Sequence, residues 1–191
     1  MERQAVAPGS CYFYYPRLVV VVGARDEAKG TVNFAPVAWA SPLSSDPPLY
    51  GICLSPRTYS HHLVLKTGEF TVNFLRHRDA ALAAALGRLS GREIDKVKAL
   101  SLELEASEAV QTPSLAAAYA SAECLLLERH QIGDQTLFVG DVQMIHAAVD
   151  GFDADGVMRV DRVSPLLYLG GSRYVSTEAG SLVSPETATK G

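Results

Sequence analysis

The stretch NFAPVAWASPLSSDPPLYGICLSPRTYSHHL, residues 33–63, decides the fold and holds the candidate site. It predicts a strand, a tight polar turn, a second strand and the start of a helix. Prolines and small hydroxyl residues interrupt the apolar strand residues, which lets backbone amides face a ligand. Hydroxyl and cationic side chains then cluster at the predicted helix start: Ser55, Arg57, Thr58 and Ser60. Free amides and the helix dipole at such a position favour an anion such as a phosphate.

The cluster also has a plainer explanation. Ser55 or Thr58 could simply cap the helix, because serine and threonine are common N-caps, and Arg57 could be solvated. Trp39, the only tryptophan of the chain, also has a plainer explanation, because a large aromatic side chain is more often a core residue than a platform for a ligand ring. On the residues alone, both explanations stay open.

Composition limits the classes of protein. The chain has 191 residues, which suits one domain with a sizeable core, and its 48% hydrophobic and 20% charged content is ordinary for a globular protein. The net charge of −4 and the lack of a basic stripe argue against nucleic-acid binding. We therefore expect a single globular domain without a nucleic-acid partner.

Cysteine use and the N-terminus predict the compartment. Cys11, Cys53 and Cys124 are far apart and form no CxxC pair, which suits free thiols in a reducing environment. The start MERQAVAPGS lacks a charged end followed by an apolar run, so no signal peptide is expected. The longest apolar run, 18–22, is too short to cross a bilayer. These features predict a cytoplasmic protein that is not in the membrane.

The remaining pattern predicts many strands and few helices. A dinucleotide-binding fold is set aside, because the G-x-G-x-x-G fingerprint is missing after Gly23 and no helix follows. Strands are expected at 17–24, at 31–41 with Pro36 marking an edge or bulge, at 49–54, half-buried at 69–75, at 120–131 and at 136–148. Turns are expected at 25–30 and 42–48, and helices at 58–67 with Gly68 as C-cap, at 79–89 and near 94–100. Such an order argues for an antiparallel barrel with peripheral helices.

The chain offers no self-contained catalytic machinery. The five histidines show no HxxxH or HExxH spacing, and His61 and His62 point about 100° apart on a helix, so no metal site is expected. No serine lies in a GxSxG elbow, and no carboxylates are paired at a telling spacing. No catalytic residue is therefore assigned. This pattern favours a protein whose chemistry resides in a bound cofactor.

Six motifs in order resemble the flavin reductase-like family of FMN-binding split barrels, which includes flavoredoxins. They are YYPRLVVVVG from residue 14, the segments 33–48 and 55–63, EFTVNFL from residue 69, GDQTLFVGDV from residue 133 and PLLYLGG from residue 165. The similarity spans residues 12–175, with 1–11 expected to be a flexible arm and 176–191 a disordered tail. The resemblance implies an antiparallel, Greek-key-like split β-barrel that forms a homodimer and holds FMN, less often FAD.

The resemblance also assigns site residues by position. The flavin ring would be lined, mostly through backbone groups, by Ala38, Trp39, Ala40, Ser41, Pro42 and Leu43. The flavin phosphate would be held by Ser55, Arg57, Thr58 and Ser60. In the second hairpin the family often has a histidine facing the nicotinamide, and Gln135 stands at that position here.

Three functions follow as hypotheses. The first is an NAD(P)H-dependent flavin oxidoreductase that reduces FMN and supplies a partner monooxygenase. The second is a flavoredoxin-type FMN electron carrier that serves an electron-transfer partner without NAD(P)H turnover, which Gln135 favours. The third is a split-barrel binding module without enzymatic activity.

Overall fold

The computed structural model describes residues 3–9 and 11–183. In this part of the chain the strands are β1 Arg17–Leu18, β2 Val20–Asp26, β3 Thr31–Val37, β4 Ala40–Ser45, β5 Pro48–Leu54, β6 Glu69–Phe74, β7 Leu104–Glu105, β8 Ser114–Leu115, β9 Ala120–Ile132, β10 Gln135–Ala147, β11 Leu167–Gly170 and β12 Arg173–Val175. The helices are α1 Tyr59–Thr67, α2 Ala80–Arg88 and α3 Lys96–Ala99. Short 3₁₀ segments lie at Cys11–Tyr14, His77–Asp79 and Ala179–Ser181.

A seven-stranded sheet forms the body of the protein, in the order β3-β2-β6-β9-β10-β5-β4. Its pairings are antiparallel throughout, and β1, β11 and β12 form a smaller antiparallel sheet beside it. The long hairpin of β9 and β10 joins the two halves of the large sheet. The prediction of a mainly antiparallel β structure with few helices is confirmed.

The valine run of β2 explains why this sheet has a core on each face. Val20 and Val22 pack into one apolar cluster, whereas Val19 and Val21 pack into a second cluster. Successive strand residues point to opposite faces, so an unbroken apolar run is what a strand covered on both faces requires. The second cluster includes Leu86 of α2, which covers that face.

Strand β6 is buried on both faces, so the prediction that it is half-buried is wrong. Its alternate polar residues lie inside the protein and find partners there. Asn73 is fully buried; its Nδ2 donates to the carbonyl of Val21 at 2.9 Å, and its Oδ1 accepts from the amide of Leu115 at 2.7 Å. Polar residues in a strand can therefore be internal when other strands supply hydrogen bonds, and the alternation of polar and apolar residues does not show this.

The prediction of one strand over 31–41 and a turn over 42–48 is wrong in its boundaries. β3 ends at Val37, β4 forms from Ala40 to Ser45, and only Asp46 and Pro47 connect β4 to β5. β4 is the last strand of the sheet and pairs only with β5, so Pro42 is tolerated there. β3 is the strand at the opposite end of the order, which confirms the edge position predicted from Pro36.

The predicted helices are present with small changes at their ends. α1 has Thr58 as its N-cap, whose side chain accepts from the amide of His61, and Gly68 as its C-cap with φ 68°. α2 begins at Ala80 after a 3₁₀ turn, and α3 occupies the middle of the segment predicted at 94–100. No helix in the described ranges is long and apolar enough to cross a membrane.

The predicted flexible arm (1–11) and disordered tail (176–191) lie partly outside the described residues, which lack 1, 2, 10 and 184–191. The flexibility of the arm and the disorder of the tail therefore stay predictions.

Candidate functional site

Three neighbouring cavities lie along the outer side of β3 and the start of β4. The basic cavity, of about 470 Å³, lies between the N-terminus of α1 and the end of α2. The tryptophan cavity, of about 320 Å³, contains Trp39 and shares Pro36 and Thr58 with the basic cavity. The edge cavity, of about 300 Å³, lies beside β4 and shares Trp39 and Cys53 with the tryptophan cavity. The three cavities therefore adjoin one another around residues 36–39.

The basic cavity carries positive charge without acidic lining. Arg57, Arg88, Arg92 and Lys96 line it, and its described lining contains no aspartate or glutamate. Thr58, the N-cap of α1, also lines it, so the first amides of that nine-residue helix lie at its wall. Four cations beside a helix N-terminus make a favourable environment for a phosphate group.

Lys96 gives this cavity a buried cation. Its side chain is 4% exposed, and its Nζ donates to the carbonyls of Phe34 and Leu86 at 2.8 Å each. No carboxylate among the described residues pairs with it, and burial lowers its pKa to about 8. An ammonium has three donors, and two are used by carbonyls. The third is available to an acceptor in the cavity.

Asn33 lies beside Lys96 with a polar atom that lacks a partner. The residue is 5% exposed, and its Nδ2 donates to the Ser60 hydroxyl at 2.8 Å. Its Oδ1 has no hydrogen-bond partner among the described residues, and a Cβ added at Gly91 would collide with it. Rotating the amide by half a turn would let Oδ1 accept from Ser60 and would place Nδ2 against Gly91. Asn33 therefore packs under the loop at 90–92, and glycine is required at position 91.

A set of side chains holds the loop at 90–92 against the cavity. Lys29 Nζ donates to the carbonyls of Gly91 at 3.2 Å and Arg92 at 3.0 Å, and it lies 5.0 Å from the centre of the Tyr59 ring. The Arg92 guanidinium lies over the same ring at 5.1 Å. The Tyr59 hydroxyl donates to Asp26, and burial together with this bond raises the pKa of Tyr59 to about 12. The tyrosine is therefore a neutral donor that anchors this wall.

The tryptophan cavity is built from aromatic and neutral groups. Trp39 is 39% exposed, and its Nε1 donates to the Tyr15 hydroxyl at 3.1 Å. The amide of Cys53 donates to the Trp39 carbonyl at 2.8 Å, and burial raises the pKa of the Cys53 thiol. Gln135, at the start of β10, completes the wall. A flat, neutral ring could lie here without meeting a charged side chain.

The structure brings most of the residues predicted for the site together. Arg57, Thr58 and Ser60 line the basic cavity; Ala38, Trp39, Ser55, Thr58 and Gln135 line the tryptophan cavity; Trp39, Ala40, Ser41 and Leu43 line the edge cavity. Pro42 lines none of these three cavities. Ser60 is 2% exposed and lies beneath the cavity as the partner of Asn33. The roles assigned to these residues stay predictions.

Sequence reasoning missed a second group of residues in the basic cavity. These are Asn33, Arg88, Ser90, Gly91, Arg92 and Lys96. All except Asn33 follow the phosphate motif by about thirty residues or more, so tertiary structure alone places them beside it. The SGR sequence at 90–92, directly after a helix, was the available signal.

The histidines have partners within the fold. The Nε2 of His61 lies 2.9 Å from the Thr136 hydroxyl, and burial lowers the pKa of His61. His62 stacks on Tyr59 with the ring centres 6.4 Å apart. Within the described ranges, no group of three or more histidine, cysteine or acidic side chains could hold a metal ion.

Comparison with known proteins gives consistent matches. The model of the flavin reductase-like domain family matches residues 12–177. An uncharacterized protein of Aeropyrum pernix is 31% identical over 160 residues, which cover 83% of this chain but only 59% of that protein. The match therefore leaves about two fifths of that relative unaligned.

Solved structures match over nearly the whole chain. The FMN-binding protein from Thermus thermophilus with bound 1-cyclohex-2-enone has a TM-score of 0.84 and 35% identity, covering 97% of this chain and 98% of that one. The flavoredoxin of Desulfovibrio vulgaris (Miyazaki F) has a TM-score of 0.84 at 24% identity, covering 99% of each chain, which shows a shared fold. The predicted split-barrel architecture is confirmed by these matches. The chain belongs to the flavin reductase-like family.

Proposed function

We propose that this protein binds FMN, with the phosphate in the basic cavity and the isoalloxazine ring in the tryptophan cavity. The observation that supports this most directly is that the two cavities adjoin at Pro36 and Thr58. One cavity is cationic and the other is flat, aromatic and neutral. A flavin mononucleotide has the same polarity from one end to the other. The FMN-binding protein of Thermus thermophilus supports the same ligand.

The residues of the basic cavity fit a phosphate. Arg57 at the start of α1 and Lys96 beneath the cavity supply charge-assisted donors, and Thr58 presents the helix amides. FAD carries a second phosphate and an adenosine, and equilibrium titration with each flavin would decide between the two. We expect FMN to bind at least as tightly as FAD.

The proposed reaction is hydride transfer from NADH or NADPH to the flavin. FMN would supply the electron-accepting ring, and the side chains of the chain would bind and orient both partners. The tryptophan cavity is suited to this task, because its described lining holds no carboxylate, histidine or lysine that would exchange protons. Backbone groups at residues 38–43 would favour negative charge on the reduced ring. Supply of reduced flavin to a partner monooxygenase is an extension of this proposal.

The deciding experiment is a visible spectrum of the purified protein, followed by anaerobic addition of NADH or NADPH. Oxidised-flavin bands that bleach within the time of mixing would support the reductase. Bands that stay unchanged with both nucleotides would rule out nicotinamide turnover. A colourless protein that ignores added FMN would overturn flavin binding itself.

Gln135 favours a second candidate function, a flavoredoxin-type electron carrier. The family's histidine at this position faces the nicotinamide, and a neutral amide stands here at the wall of the tryptophan cavity. In that case FMN stays bound through purification, and only a reduced protein partner reduces it. Stopped-flow mixing with a reduced ferredoxin-type donor would test this, because the flavin bands should bleach with that donor and persist with NADH and NADPH.

Replacing Arg57 by Ala should weaken FMN binding about tenfold or more, because it removes a charge-assisted hydrogen bond to the phosphate. Riboflavin, which lacks the phosphate, should bind the variant and the native chain equally. Arg162→Ala is a suitable control, because Arg162 is 57% exposed and pairs with Asp161 away from the cavity. Unchanged FMN affinity in the Arg57 variant would contradict the phosphate assignment. Flavin quenching titrations measure all four affinities.

We also propose that the protein is a cytoplasmic homodimer. Strands β9 and β10 expose apolar side chains that a monomer would leave in water: Leu125, Leu127, Ile132, Met144 and Ile145 are 42%, 54%, 55%, 36% and 62% exposed. Leu125 and Leu127 lie two residues apart on one face of β9, and adjacent exposed apolar residues of this kind are typical of interfaces. Light scattering coupled to gel filtration should give twice the 20.5 kDa of one chain.

A further inference from the structure

A fourth cavity adjoins the tryptophan cavity at Pro36 and Ala38, and we call it the tyrosine cavity. Its volume is about 290 Å³, and it lies between α2, the end of β3 and the small sheet of β11 and β12. Its lining residues are Val19, Pro36, Ala38, Ala83, Ala84, Gly87, Arg88, Tyr168, Ser172 and Tyr174. Of the residues that sequence analysis assigned to the flavin, only Ala38 is among them.

The polar groups of this cavity are one cation and neutral hydroxyls. Arg88, at the end of α2, makes no ion pair with any described residue. The rings of Tyr168 and Tyr174 pack with their centres 5.3 Å apart and their planes tilted by 48°, and burial raises the pKa of Tyr174. The Tyr168 hydroxyl accepts from the amide of Ser172 at 3.4 Å, which leaves its own O–H free to donate. Ser172 adds a third hydroxyl. These groups can hold one negative charge and can donate to its oxygens.

The apolar part of the lining is shaped for a ring. Ala83, Ala84 and Gly87 give α2 a low surface here, and a Cβ added at Gly87 would lie 3.1 Å from Pro36. The two tyrosine rings form the opposite wall. A cavity of 150 Å³ holds benzene, and drug-sized ligands need about 300 Å³ or more, so this cavity has room for one ring with substituents. A flavin or a nicotinamide nucleotide exceeds it.

The tyrosine cavity adjoins both cavities that we assign to the flavin. It shares Pro36 and Ala38 with the tryptophan cavity, and Gly87 and Arg88 with the basic cavity. A ligand bound here would lie next to the proposed place of the flavin ring.

We propose that the tyrosine cavity binds a small one-ring carboxylate, with the carboxylate on Arg88 and the tyrosine hydroxyls and the ring against the alanines of α2. The binding of this ligand is inferred from the lining residues alone. Its position next to a bound flavin, where it could act as a second substrate, rests on the proposed function. Benzoate is the probe, and benzyl alcohol, which has the ring without the charge, is its matched control.

Isothermal titration of the full chain tests the site, first without and then with bound FMN. We expect benzoate to bind at least about tenfold more tightly than benzyl alcohol, as a charge-assisted pair predicts. Arg88→Gln should remove that preference, whereas Arg92→Gln should leave it, because Arg92 lines the basic cavity alone. Ala84→Leu should abolish binding of both probes by filling the cavity. Tyr174→Phe, which keeps the ring, should weaken benzoate more than benzyl alcohol.

Two results would overturn the proposal. They are no saturable benzoate binding, and equal weakening of benzoate binding by Arg88→Gln and Arg92→Gln. The second result would place the anion in the basic cavity, because Arg92 lines that cavity and not the tyrosine cavity. Failure of the proposed function gives a different pattern: FMN does not bind, while benzoate still binds to the protein without flavin and still depends on Arg88.

Discussion

Single residues determine how strongly this site should bind a negatively charged group, and Lys96 is the clearest case. Burial lowers the pKa of the Lys96 ammonium to about 8. A phosphate beside it should raise that pKa again, because a nearby negative charge favours the charged form. FMN binding should therefore be strongest below pH 8 and weaken as the pH rises from 8 towards 10. Below about pH 6.5 the phosphate itself takes up a proton, so the test runs from pH 7 to 10.

Lys96→Met should weaken FMN binding by about tenfold or more at pH 7 and should flatten this pH dependence. Lys98→Met is the matched control, because Lys98 lies two residues away on α3 and its side chain is 86% exposed. A variant at Lys96 that keeps the native pH profile would show that another group carries it. Titrations followed by flavin absorbance give both affinities.

Gln135 allows the nicotinamide step to be tested by a single exchange. If the protein uses NADH or NADPH as proposed, Gln135→His, which introduces the residue type frequent in the family, should raise kcat/KM for that nucleotide by about tenfold through better orientation of the nicotinamide. Gln143→His places the same side chain on the exposed distal part of β10 and should change nothing. If both variants behave like the native chain, Gln135 does not face the nicotinamide.

Among the elements, β9 is tied to the loop before β8 by one buried carboxylate. Glu123 is fully buried; it accepts from the amides of Glu108 at 3.0 Å, Ala109 at 2.6 Å and Val110 at 3.2 Å, and lies 2.9 Å from His146 Nε2. Burial alone would raise its pKa, but these donors outweigh burial and hold the pKa below its ordinary value. Its contribution to stability is therefore complete above the ordinary glutamate pKa, about 4.3, and is lost as the pH falls through the lowered value.

Glu123→Gln should lower the free energy of unfolding by about 3 kcal/mol, since the new amide group faces backbone donors. It should also reduce the loss of stability between pH 5 and pH 3. Glu128→Gln, further along β9 with a side chain that is 59% exposed, should cost less than about 0.5 kcal/mol. Urea unfolding at the two pH values measures these differences, and equal stability of the two variants would refute the argument.

The strands and helices also show which sequence signals are sufficient to predict an element. The valines of β2 and the caps of α1 were sufficient because their signals are local: β-branched residues favour strands, and threonine and glycine cap helix ends. β4 was missed because its proline and serines resemble a turn, and among the described residues it pairs with β5 alone. β6 was judged half-buried because the hydrogen-bond partners of its polar residues come from strands that are distant in sequence, β2 and β8.

For the molecule as a whole, the exposed apolar part of the long hairpin predicts assembly. Leu127→Lys combined with Ile145→Lys should shift the proposed homodimer towards monomer, because charges in an apolar interface are costly to desolvate. Val149→Lys is the control, since Val149 is 99% exposed just beyond β10. Sedimentation velocity should show one species near twice the chain mass for the control and a lighter one for the double variant. An unchanged dimer would move the interface elsewhere.

The site as a whole could be predicted only in part. Residues 38–43 and 55–60 are continuous in sequence, so their motif was visible. Lys96 and the loop at 90–92 reach the same cavity only because α2 crosses β3 and returns the chain beside α1. Nothing in their own sequence shows that neighbourhood, which is a property of the tertiary fold.

Trp39 makes the proposed flavin site observable by fluorescence. It is the only tryptophan of the chain, and its indole donates to Tyr15 at the wall of the tryptophan cavity. Excitation at the red edge of indole absorption therefore reports from this one place in each chain. Its emission should fall when a flavin lies beside it, because the absorption band of the flavin overlaps indole emission. The protein carries its own optical probe of occupancy, and no label needs to be attached.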